Sequence, residues 1–111
     1  MGPKEVLTEF NDAMSSGDSK KVSKAMELVF MSDEEKREFI KNLESDSSIL
    51  KSLKDKSQKL TVEKCTPPAE MKNSDAISAV SQCSVINKNG EKETVDLWKD
   101  KKTGNWLVFL E

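Results

Sequence analysis

The chain predicts an α+β fold, in which three or four helices pack on one face of a four-stranded antiparallel sheet. Two observations carry that expectation. From Asp75 onward, apolar residues recur at alternate positions: Ile77, Ala79 and Val85, then Val95 and Leu97, then Trp106, Val108 and Leu110. This is the period of half-buried strands, and the segments between carry turn chemistry, Asn87-Lys88-Asn89-Gly90 and Lys101-Lys102-Thr103-Gly104. The first half, by contrast, shows only helical spacing.

The first helix runs from about Pro3 to Met14. Proline suits a first turn, where its missing N–H would have no partner. Val6, Leu7, Phe10, Ala13 and Met14 share one face. Ser15-Ser16-Gly17 ends the helix, with glycine suited to a left-handed terminus. Asp18 or Ser19 caps a second helix, expected to continue to about Met31 and to bury Val22, Ala25, Met26 and Val29. Ser32-Asp33-Glu34-Glu35 has the form of a capping box and starts a third helix with the stripe Phe39, Ile40 and Leu43. Phe30 reads either as a core anchor, like Phe10 and Phe39, or with Met31 just before the box as a hydrophobic staple. A fourth stretch, Ser47 to Ser57, offers Ile49, Leu50 and Leu53.

The sheet is expected to begin near Lys59. Leu60, Val62 and Lys64 would lie on one face, and Thr61, Glu63 and Cys65 on the other. Pro67-Pro68 cannot donate to a ladder, so residues 66–74 read as a loop. Further strands follow at about 75–87, 91–100 and 105–111. The expected core comprises Phe10, Met14, Val22, Met26, Phe39, Val95, Leu97 and Val108, with Val80 or its alternating neighbours. In the second strand Val80 and Ile86 compete with Ile77, Ala79 and Val85 for the inward face.

At 111 residues there is room for one domain, read as 3–111, with Met1-Gly2 taken as a cloning scar. Charged residues make up 34% and hydrophobic ones 35%, so the surface must be heavily charged. Net charge is −2, and it hides no basic half. Residues 1–58 carry ten basic and twelve acidic side chains, and residues 59–111 eight of each. Nucleic-acid binding needs clustered cations against phosphates. Here Arg37 is the one arginine, and Lys99, Lys101 and Lys102 lie around a turn, so no nucleic-acid partner is expected. No apolar run approaches the roughly 18–20 residues that span a bilayer, and no signal peptide opens the sequence.

The catalytic inventory is thin. Histidine and tyrosine are absent, which removes the side chain that titrates near neutrality and the phenol that serves as an acid or oxyanion donor. Two cysteines eighteen residues apart make no zinc set, and no glycine-rich phosphate loop is present, so no metal or cofactor is expected. Asp33, Glu34, Glu35 and Glu38 form the densest acidic group, which the positive end of the third helix accounts for better than a cation does.

Cys65 and Cys83 fall on neighbouring strands. A hairpin centred on Ser74 would set them opposite each other, favouring a disulfide and an oxidising compartment over two buried thiols. Trp98 and Trp106 flank the last turn, where they either pack in the core or line a ligand site. Asp96, mid-strand beside Trp98, is the one carboxylate considered for catalysis, although the solvent face suits it better.

Several segments resemble a known family. The helix Val6-Leu7-Thr8-Glu9-Phe10-Asn11-Asp12-Ala13-Met14 is followed by the break Ser16-Gly17-Asp18 and by Lys24-Ala25-Met26-Glu27-Leu28. The meander closes on Trp98 to Trp106, with Gly104-Asn105-Trp106 as a Gly-x-Trp strand start. The pattern resembles the small NTF2-like, or cystatin-like, domains of bacterial exported proteins and lipoproteins, including the lumazine-binding-like DUF4878 group. The resemblance implies a curved sheet wrapped round the helices as a cone, with room for a cavity. Enzymes of that wider fold, such as ketosteroid isomerases, use an Asp base with a Tyr donor, and related dehydratases use His. Neither Tyr nor His exists here, so the resemblance carries fold and export rather than activity.

The sequence therefore leads to a non-enzymatic ligand- or protein-binding accessory domain of a bacterial exported protein or lipoprotein. Its location would be periplasmic or on the outer membrane or cell surface, held by a lipid anchor in a fuller chain and acting as monomer or homodimer. The rivals are an interaction module of a secretion or immunity-type system, and an NTF2-like enzyme using a buried carboxylate.

Overall fold

A computed structural model describes residues 1–58 and 60–110. Four helices, α1 (Pro3–Ser15), α2 (Ser19–Ala25), α3 (Asp33–Ser45) and α4 (Ser47–Ser57), precede five strands, β1 (Thr61–Cys65), β2 (Ala69–Glu70), β3 (Ile77–Ile86), β4 (Lys92–Asp100) and β5 (Trp106–Phe109). All strand pairs are antiparallel, in the order β1-β3-β4-β5, with β2 also on β3. The expected sheet start at Lys59 and the expected strand end at Glu111 lie outside the described residues.

The helix starts follow their caps. Asp18 accepts from the Lys20 amide at 2.9 Å and opens α2. Ser32 accepts from the Glu35 amide at 3.2 Å while donating to its carboxylate at 2.9 Å, completing the capping box of α3. Asp33, Glu34 and Glu35 occupy the first turn of that helix, where its dipole favours negative charge.

The second helix is shorter than its spacing suggests. It tightens into a 3-10 turn, Met26–Leu28, and the chain then extends. Val29 forms a parallel bridge to Val108, and the Phe30 amide donates to the Val108 carbonyl at 2.8 Å. Pairing with the edge of β5 outweighs one further helical turn. No staple forms either: Met31 packs among the helices, whereas Phe30 turns to the sheet.

The expected loop at 66–74 contains β2, which makes the sheet five-stranded. β1 and β2 run along the same edge of β3 as one strand broken at Pro67-Pro68. Side chains replace the ladder bonds that the prolines cannot make. The Thr66 hydroxyl accepts from the Gln82 amide at 3.0 Å, and the buried Ser81 hydroxyl donates to the Thr66 carbonyl at 2.7 Å. A register shift between Val62 and Cys65 corrects the expected facing of β1, because both residues then oppose inward residues of β3, Val85 and Cys83.

Two apolar clusters hold the layers. Val6 and Leu7 of α1 meet Ala79, Cys83, Val85, Leu97, Trp106 and Val108 of the sheet. Met14, Val22, Ala25, Met26, Val29 and Leu43 pack between the helices. Phe10 touches both clusters and ties helix layer to sheet. Ala79 and Val85 win the inward face of β3, which leaves Val80 and Ile86 on the other. Phe39 and Val95 are half-buried against the core, and Leu110, which shares the alternation of Trp106 and Val108, lies past the end of β5 and is exposed.

Candidate functional site

The helices pack on one face of the sheet only. Strand alternation assigns the opposite face to Val80 and Ile86 of β3, Asp96 and Trp98 of β4, and Leu107 and Phe109 of β5. Trp98 lies opposite Val80 on one side and Leu107 on the other. Its ring stacks on Phe109, with centroids 3.9 Å apart and planes at 21°. Phe30, delivered by the extended chain after the 3-10 turn, meets it edge-on at 4.9 Å. These side chains are half-buried by one another, with no helix over them.

The candidates read from the sequence divide between the faces. Trp98 and Asp96 come together on the helix-free face, two residues apart. Trp106 faces the helices and belongs to the core, with the Lys99 ammonium 5.9 Å from its ring centroid. Cys65 and Cys83, directly opposed across β1 and β3, form a disulfide on the helix side. Phe30, Leu107 and Phe109 were not among the expected site residues. Leu107-Val108-Phe109 is apolar at consecutive positions, the signature of a strand with two apolar faces, and it marks β5 as more than a half-buried strand.

The helix side offers little chemistry. The space between α1 and the sheet is occupied by Val6, Leu7, Leu97, Trp106 and Val108. Among the described residues the buried polar side chain is Ser81, already bonded to Thr66, and no ionisable side chain is buried. Open clefts run along the outside. One of about 310 Å³ lies between α1 and α2, with Glu9, Asp12, Lys21 and Lys24 on its walls. A second of about 260 Å³ continues past Glu27 and Leu28 to Trp106. Among the described residues no group of three or more potential metal-ligating side chains occurs, and no helix is long and apolar enough to cross a membrane. Asp100, at the end of β4, is held below the usual aspartate range chiefly by the Thr103 hydroxyl, which donates to it at 2.8 Å.

No protein-family model and no curated protein matches the chain. Among solved structures, it is similar to a Campylobacter jejuni protein provisionally named an NTF2-like transpeptidase, with TM-score 0.56, 20% identity and full coverage of both chains. The fold is NTF2-like. At that identity the likeness establishes architecture, the helices-then-meander order wrapped into one layer on another, and it leaves the site to be argued from this chain's own residues.

Proposed function

We propose that this NTF2-like domain is a non-catalytic accessory module of an extracytoplasmic protein, and that it binds another protein through the helix-free face of its sheet. One observation carries the reading: Phe30, Trp98, Leu107 and Phe109 gather on a face that no helix covers. Clustered aromatics at a solvent-facing surface are typical of interface anchors. The disulfide supports an oxidising compartment. A lipid-anchored periplasmic or cell-surface setting fits the same reading.

The enzyme reading has less support. Transfer chemistry of the kind in the neighbour's name needs a nucleophile activated by an adjacent base. Both cysteines are tied in the disulfide, and the Ser81 hydroxyl is committed to a backbone carbonyl. Asp96 sits on the open face, not in a dry pocket.

The test is site-specific photo-crosslinking in the native host from position 107, with position 44 on the exposed side of α3 as control. The reading expects a discrete adduct with a second protein from position 107 alone. Equal adducts from both positions, or none from 107, would overturn it.

A further inference from the structure

We infer that the cleft between α1 and α2 binds a short zwitterion of about tripeptide length, its carboxylate at the closed end beside Lys21 and its ammonium at the mouth between Glu9 and Glu27. The site is separate from the helix-free face and does not depend on how that face is read.

Helical spacing builds the walls. Glu9, Asp12, Ala13 and Ser16 stand at i, i+3, i+4 and i+7 along one face of α1. Lys21, Lys24, Ala25 and Leu28 repeat that spacing through α2 and the 3-10 turn. The hollow exists because Ala13 and Ala25 each put a single methyl where a larger side chain would close the gap. Its volume, about 310 Å³, is that of a small-ligand pocket. The break at 16–18 joins the two helices, so the cleft is shut near Gly17. It opens toward Glu9 and Glu27, where the second cleft continues to Trp106.

The walls carry opposite charges that do not neutralise each other. Glu9, Asp12, Lys21, Lys24 and Glu27 are all exposed, and among the described residues none of them forms an ion pair. Their order along the cleft selects a zwitterion. Lys21 is the charged wall residue nearest the closed end, where the Lys54 ammonium also stands, 3.6 Å from the position of a Cβ on Gly17. Asp18 is the acid there, and its carboxylate is engaged as the cap of α2, accepting from the Lys20 amide. Asp12 and Lys24 stand midway on opposite walls. Glu9 and Glu27 hold the mouth, with Glu5 one turn further along α1, against the amino-terminal ammonium of Met1 on the second cleft. Lys4 lies off this row of α1. A ligand with one charge would find its partner at one end and repulsion at the other, whereas a ligand charged at both ends is satisfied at each. Lys21 and Glu27 are six residues apart. That is roughly 10 Å at helical rise, and an extended tripeptide spans roughly the same length.

The test is an NMR titration of the full chain with alanyl-leucyl-alanine in three forms, unblocked, N-acetylated and C-amidated. The unblocked peptide should move the amides of Ala13, Ser16, Ala25 and Leu28 and leave the Trp98 indole in place. Each blocked form has lost one charge and should bind about two- to fivefold more weakly, the range for an exposed ion pair. Added salt should weaken the unblocked peptide. In K21Q the unblocked and N-acetylated peptides should lose about that same factor, while the C-amidated one binds as before. The K41Q variant, changed on α3, should alter none of the three. Equal affinity of the three forms, or a loss in K21Q that the C-amidated peptide shares, would overturn the pairing of charges at the two ends. No shifts in the cleft, or shifts confined to Trp98 and Phe109, would overturn the site while leaving the reading of the helix-free face standing.

Discussion

Leu97 and Trp98 are adjacent in β4 and point to opposite worlds: Leu97 is fully buried against Val108 under α1, and Trp98 lies on the open face against Phe109. Truncating them should therefore have different costs. Leu97→Ala leaves a core cavity and should destabilise by about 2–5 kcal/mol. Trp98→Ala gives up half-exposed area and one aromatic stack, and should cost about 1–2 kcal/mol. Urea unfolding of the two variants measures the difference. The partner affinity should show the reverse order, with Trp98→Ala the more damaging.

The Cys65–Cys83 disulfide closes a separation of eighteen residues and fastens β1, interrupted at Pro67-Pro68, to the centre of the sheet. On the loop-entropy model its loss costs roughly 3 kcal/mol. The double variant C65A/C83A should show that loss in urea, and denatured, unreduced protein should contain no free thiol.

Two turns depend on glycine for conformation alone. Gly90 and Gly104 have φ of 78° and 74°, and a Cβ at either position would meet no atom within 4 Å. Gly104→Ala should thus cost about 1–2 kcal/mol through backbone strain, not crowding. Thermal unfolding of this variant checks the magnitude, and an unchanged spectrum away from residues 100–106 checks the cause.

Asp46 and Asp100 should titrate below the ordinary aspartate range. The Ser48 hydroxyl, donating at 2.6 Å, is the main cause for Asp46, followed by the Ser48 amide at 3.0 Å; for Asp100 it is the Thr103 hydroxyl. A depressed folded value means that the folded chain binds fewer protons. The contribution is present above the ordinary aspartate range and is lost as pH falls through the lower folded values. Both groups are solvent-exposed, so the effect on stability is small. Carboxyl NMR titration should show both values rising toward the ordinary range in S48A and T103A respectively.

Much of the fold was legible because its signals are local. The capping box at Ser32, the glycine turns and the alternation in β4 each act within a few residues, and each appears where the spacing places it. The cysteine pairing was also legible, since the two residues lie on neighbouring strands. The misreadings concern long-range competition. Val29 and Phe30 have helical spacing with Val22 and Met26, yet the open edge of β5, almost eighty residues later, draws them into extended chain. β2 was hidden because prolines normally end a strand, and here Thr66 and Ser81 bridge the break with their side chains. The aromatic cluster of the helix-free face was only half visible. Asp96 and Trp98 sit together in the sequence, but Phe30 reaches them through that same edge pairing, which no local pattern announces.

Trp98 lies on the helix-free face of the sheet, whereas Trp106 is buried between sheet and helices. The most direct measurement is fluorine NMR of protein labelled with 5-fluorotryptophan, assigned with W98F, in the presence of a soluble paramagnetic agent. The Trp98 signal should broaden strongly while the Trp106 signal stays sharp. Broadening of Trp106 equal to or greater than that of Trp98 would contradict the account.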